Sequence, residues 1–216
     1  MDLLKSLYAA ESRLSSAQVG AIMLILFGVF LSPVRAPSQS TLRPRCTAKS
    51  PITLTDTMIG PLAINASLAS VRSLCAMAFD TTLSDPASRD KTYPGLTFPF
   101  GNATIIALQY GTVTLNTNMP ADGWIVVGSV ELPGGVLLTA DWSQIYKKYP
   151  SVQASAGPVL VARLCALPNV LLTLDTDPEL VRDASGLVDL SRIPQKARVL
   201  QAFVLSKHLG RSLSPC

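Results

Sequence analysis

The 216-residue chain has room for one ordinary domain and a leader. With 48% hydrophobic and 15% charged residues, it lacks the composition of a disordered protein and can bury a sizeable core. The net charge of +4 is uneven: residues 1–34 are neutral, 35–49 carry Arg35, Arg43, Arg45 and Lys49 without an acid, 50–191 sum to −5, and 192–216 hold five cations without an acid. An acidic body between basic arms argues against nucleic-acid binding, which gathers cations on the folded face that meets the phosphates.

Residues 1–18 read as an amphipathic leader, with Leu3, Leu4, Leu7, Tyr8 and Leu14 near helical spacing among Asp2, Lys5, Glu11 and Arg13. No charge falls between Arg13 and Arg35, and Val19–Leu31 is almost wholly apolar. Residues 19–34 are therefore expected to meet membrane lipid as a transmembrane anchor or a signal segment, since uncharged flanks extend the stretch toward the ~20 residues that a bilayer requires. Cleavage after Ala36 would place Pro37 beyond the scissile bond, which favours an uncleaved anchor. Two cations before the segment and four after it point to a cytoplasmic domain by the positive-inside rule, whereas the cysteines favour the opposite side.

Residues 35–52 form a basic linker rich in Pro and Ser, and the folded domain is expected over 53–206, with a basic tail over 207–216. Within the domain, Gly60–Val71 resembles Gly134–Ile145 at an offset of 74 residues. In each copy a glycine opens a short apolar segment, Asn65 or Thr139 stands at a helix N-cap, and apolar residues follow at helical spacing: Leu68, Val71 and Cys75 in one, Trp142, Ile145 and Tyr149 in the other. Both read as strand, cap, helix. Strands are expected over 76–82, 95–100, 103–110, 124–131, 159–165, 170–175 and 198–206, with surface loops over 80–92 and 178–194. The fold class is thus α+β: a mainly antiparallel sheet with two short helices from a duplicated unit, behind one N-terminal apolar helix.

The unit of glycine, apolar strand, capping Thr or Asn and short helix resembles the tandem modules of the SmpA/OmlA (BamE-like) and β-lactamase-inhibitor-protein-like domains. Their Gly-x-x-x-x-Thr-x-x-x-Val pattern is approximated by Gly60, Asn65 and Val71 and by Gly134, Thr139 and Ile145. After each helix, Leu-Cys-Ala-Met or Tyr-Pro-Ser-Val stands where a Leu-Gly-x-Pro turn is expected. The resemblance implies a small extracytoplasmic α+β protein with a non-enzymatic scaffold or partner-binding role in a cell envelope. It transfers no ligand-binding residue.

Four cysteines, Cys46, Cys75, Cys165 and Cys216, form no Cys-x-x-Cys pair, so structural disulfides are the expected use in an exported domain. Cys75 and Cys165 share similar apolar settings and make the first candidate pair, leaving Cys46 with Cys216; reduced core cysteines are the alternative. The single histidine, His208, lies in the tail, and no nucleophile elbow, phosphate loop or zinc-protease helix occurs. No catalytic, cofactor or metal site is therefore expected. The one acidic cluster, Asp175, Asp177 and Glu179, offers alternating carboxylates for a hydrolase or a cation, although acids after a strand more often cap a turn. Six aromatic residues, Trp124, Trp142, Tyr93, Tyr110, Tyr146 and Tyr149, line either a cleft or the core. The leading expectation is a membrane-anchored or exported non-catalytic module that binds a protein or envelope component, with an exported hydrolase or a membrane-complex subunit as alternatives.

Overall fold

The computed structural model describes residues 51–75, 77–85, 88–206 and 216. The leader, the apolar segment 19–34, most of the linker and His208 lie outside the described residues. Among the described residues no helix is long and apolar enough to cross a membrane.

The fold is α+β, mostly antiparallel sheet with two short helices. Three short pairings open it: β1 (Ile52–Thr53) runs parallel to β8 (Val130–Leu132), β2 (Met58–Ile59) pairs with β3 (Leu62–Ala63), and β8 pairs with β9 (Val136–Leu137). Helix α1 (Leu68–Leu74) is followed by β4 (Phe79–Asp85), β5 (Ser88–Phe100), β6 (Ala103–Leu108) and β7 (Gly123–Gly128). Helix α2 (Trp142–Lys148) is followed by β10 (Val152–Ala156), β11 (Leu160–Leu164), β12 (Val170–Leu174) and β13 (Val199–Leu205). Each helix thus precedes a four-stranded antiparallel meander. The last strands of the two meanders, β7 and β13, pair antiparallel from Ala202 opposite Val126 to Leu205 opposite Gly123. One eight-stranded sheet results, in the order β10-β11-β12-β13-β7-β6-β5-β4.

The two halves correspond residue by residue around their helices. α1 and α2 are seven residues each and are displaced by 74 positions. Their first two N–H groups, on Leu68 and Ala69, bond to the carbonyls of Met119 and Thr117; those on Trp142 and Ser143 bond to the carbonyls of Ala197 and Gln195. Both helices therefore satisfy their unpaired N-terminal donors on the segment that leads into the last strand of their own half. Helices this short are marginal alone and are held by burial of one face. The six apolar residues expected on those faces, Leu68, Val71, Cys75, Trp142, Ile145 and Tyr149, are all in the core.

Two expectations are corrected. The N-caps are Ser67 and Asp141, two residues beyond Asn65 and Thr139, because a bond from Ala66 N–H to Ala63 O, and its counterpart from Ala140 N–H to Leu137 O, inserts a turn between strand and helix. The expected loop over 80–92 is largely an extension of the β4–β5 hairpin, with Thr82 opposite Pro94 and Leu83 opposite Tyr93. Its polar residues follow the strand because cross-strand backbone bonds at a sheet edge do not require an apolar face.

Alternate residues divide between the two faces of the sheet. Leu96, Phe98, Ile105, Trp124, Val126, Leu160, Leu172 and Val204 pack with both helices in the main core. The opposite face carries a second buried cluster, described below. Apolar side chains on both faces explain why β11, Leu-Val-Ala-Arg-Leu, is buried throughout.

Candidate functional site

The helix-free face of the sheet holds Tyr93, Ile106, Leu108, Tyr110, Ile125, Val161, Phe203 and Leu205 in one cluster, to which no described helix contributes. It straddles the β7–β13 junction. The Phe203 ring lies across Gly123: a Cβ there would stand 2.5 Å from its Cζ, so only glycine admits the ring. Tyr93 and Tyr110 meet edge to face with centroids 5.4 Å apart. The rim is open to water at Phe79 and Thr104 and half-open at Val127 and Leu171.

Polar groups set this face apart from the helix side. Gln201 and Thr173 stand opposite each other on β13 and β12, and each is 1% exposed. Both side-chain amide atoms of Gln201, the Thr173 hydroxyl, the Tyr110 hydroxyl and the hydroxyl of Ser206, which follows the cluster residue Leu205, are buried without a hydrogen-bond partner. These five are all the buried side-chain polar atoms lacking a partner among the described residues. The buried polar atom of Trp124, on the helix side, is instead satisfied, with Nε1–H donating to Ile64 O at 3.0 Å. A shielded donor or acceptor left unpaired costs about 1–3 kcal/mol.

Asp122 borders the cluster: its Oδ2 accepts the Tyr110 backbone N–H at 2.8 Å, and its carbonyl accepts the Ser206 N–H at 3.0 Å. Burial pushes the Tyr110 hydroxyl well above its ordinary pKa, and charge on Asp122 and on the Tyr93 hydroxyl adds to the rise, so this phenol stays neutral. Arg163, also on this face, donates from Nε to Pro168 O at 2.9 Å, and burial lowers its pKa. A polar residue interrupting an apolar strand, Gln201 in Val-Leu-Gln-Ala-Phe-Val-Leu and Thr173 in Val-Leu-Leu-Thr-Leu, is the sequence signal for this site.

The acidic cluster has another role. Asp175, Asp177 and Glu179 are exposed. Asp177 caps the 3-10 helix Pro178–Val181 by accepting the Glu179 N–H at 2.9 Å, and Glu179 pairs with Arg182 at 3.1 Å. Among the described residues no group of three or more His, Cys, Asp or Glu side chains converges as metal ligands. Downstream, Asp183 Oδ1 accepts the Ser185 hydroxyl at 2.6 Å, the Ser185 N–H at 2.8 Å and the Leu187 N–H at 3.0 Å; Asp189 holds Ser191 in the same manner.

These bonds, led by the Ser185 and Ser191 hydroxyls, hold both carboxyls below the usual carboxylate range. A depressed folded pKa contributes stability above the unfolded value and loses it as pH falls through the folded value. Protection from hydrogen exchange at the Ser185, Leu187 and Ser191 amides, taken relative to the unfolded rate at each pH, is therefore expected to fall on acidification past that range, while β13 amides stay protected. Asp183→Asn should abolish the step at Ser185 and Leu187; an unchanged step would remove the turn as its cause.

Cys165 is joined to Cys216, with 5.5 Å between their Cα atoms, and not to Cys75, which also removes the Cys46–Cys216 pairing. Cys75 Sγ lies 3.6 Å from Pro99 O on β5, and five strand spacings, about 24 Å, separate β5 from β11. A disulfide spans at most about 7 Å between Cα atoms. Cys75 is disulfide-bonded as well.

Of the six aromatics, Trp124, Trp142 and Tyr149 are core residues, Tyr93 and Tyr110 belong to the helix-free face, and Tyr146 stacks on Trp142 near the surface. Comparison with protein families, with curated proteins and with solved structures finds no match to this chain.

Proposed function

We propose that this chain is a membrane-anchored or exported non-catalytic module that binds a protein or envelope component through the helix-free face of its sheet. The observation that carries the reading is an apolar and aromatic face that no described helix covers, with a rim open at Phe79 and half-open at Val127 and Leu171. A partner laid over that rim removes apolar surface that the domain alone leaves in water. The Cys165–Cys216 disulfide supports placement of the domain on the oxidising side of a membrane. The apolar segment 19–34 supplies the tether. The resemblance to the SmpA/OmlA and β-lactamase-inhibitor-protein-like modules leads to the same class, and the matched halves of the fold support it.

The test places a photo-crosslinking amino acid at Thr104, exposed on the helix-free face, and separately at Ser143, exposed on α2, in the full chain in its native host. A discrete adduct from position 104 alone, weakened by Val127→Asp on the neighbouring strand, is expected. Equal labelling from both positions, or none from 104, would overturn the reading.

A further inference from the structure

Three of the nine large hydrophobic side chains exposed among the described residues, Leu74, Met77 and Phe79, fall within six consecutive positions where α1 turns into β4. Single exposed apolar residues need no explanation, but a concentration at one end of a domain marks a contact surface. This turn lies at the end of the sheet that carries the β5–β6 turn, since Cys75 Sγ is 3.6 Å from Pro99 O. The described chain begins at the same end: Ile52 and the Phe100 ring both lie within 3.6 Å of a Cβ built on Gly60. The loop after β6, with Val113 almost fully exposed, is at the opposite end, a strand length or about 20 Å away.

We propose that the end bearing Leu74, Met77 and Phe79 is a lipid-facing surface that rests on the bilayer holding the N-terminal apolar segment. The inference depends on the membrane-tether part of the proposed function and adds the orientation of the domain and its second contact with lipid. The length of the tether supports it. Sixteen residues, 35–50, lie between the apolar stretch and Pro51, where the described chain begins at this end. A chain of that length spans about 20–24 Å on average, less than a domain diameter of roughly 40 Å, so the end where the chain enters lies nearest the membrane. Arg35, Arg43, Arg45 and Lys49 in this stretch, with no acid among them, match an anionic headgroup layer.

The test uses the full chain reconstituted in phosphatidylcholine–phosphatidylglycerol vesicles with brominated acyl chains, which quench tryptophan at the lipid. Trp124 and Trp142 are buried in the core and provide a constant background. Met77→Trp is expected to shift its emission to the blue and lose most of it, whereas Val113→Trp keeps an exposed, unquenched spectrum. Flotation with the vesicles and no quenching at 77, or equal quenching at 77 and 113, overturns the proposed orientation while leaving the tether intact. Failure to float with the vesicles at all overturns the tether and this inference with it.

Discussion

Replacing Trp124 with alanine is expected to destabilise the domain by about 3–5 kcal/mol in urea denaturation, the range for deleting a large aromatic from a packed core. The indole is fully buried in the centre of the eight-stranded sheet, on β7 between β6 and β13. Its N–H reaches across to the carbonyl of Ile64, three residues before the α1 N-cap Ser67. The side chain therefore fills the main core and also fixes the turn that delivers the chain into α1. Trp124→Phe separates the two contributions: most of the apolar volume remains, but the Ile64 carbonyl is left shielded and unpaired, at about 1–3 kcal/mol. A phenylalanine variant as stable as the parent would show that water reaches Ile64 and that the bond is dispensable. An alanine variant losing under ~1 kcal/mol would place Trp124 outside the core.

The second half of the fold solves the same packing problem with different residues, which limits what the sequence can show of the duplication. Where the first half has Trp124 on its last strand and Leu68 opening its helix, the second has Ala202 and Trp142 at the corresponding positions. The large ring comes from the strand in one half and from the helix in the other. The one large ring is kept in each half while its place in the chain is not. The helices remained legible because their buried faces keep the 3.6-residue period, and so did most strands of the sheet. The caps were read two residues early because Ala66 and Ala140 make a turn that leaves no polar or glycine signature. β10, Val-Gln-Ala-Ser-Ala, was missed since its small and polar residues do not alternate sharply, although β11 pairs along all of it.

The candidate site was less legible than the fold for a related reason. Apolar residues on both sides of a strand erase the alternation that would mark one face as free of helices. Tyr93 and Tyr110 were visible as aromatics, but their meeting on the helix-free face depends on register across β5 and β6, which no local pattern encodes. The acidic cluster attracted attention because charges are conspicuous in sequence. Its geometry instead uses Asp177 for a cap and Glu179 for an ion pair.

Cys216→Ser should cost about 4 kcal/mol, because the bond to Cys165 closes a loop of 51 residues and removes that much conformational freedom from the unfolded chain in the chain-entropy account. For a domain of this size the loss corresponds to a melting temperature roughly 8–16 °C lower. The partner must behave identically, so Cys165→Ser alone and the double variant are expected to match Cys216→Ser. Additive losses in the double variant would sink the pairing, since two residues of one bond cannot be removed twice. Cys75→Ser, which breaks a different disulfide, should add its own cost to any of these. The pairing also brings Cys216 back to the end of β11, two strand positions from β13, where the described chain leaves the sheet at Ser206. Cys216→Ser should therefore loosen the sheet first at β11 and β12, seen as faster exchange at the Leu164 and Val170 amides than at Ile105 on β6; uniform loosening across the sheet would show that the bond stabilises only through the unfolded state.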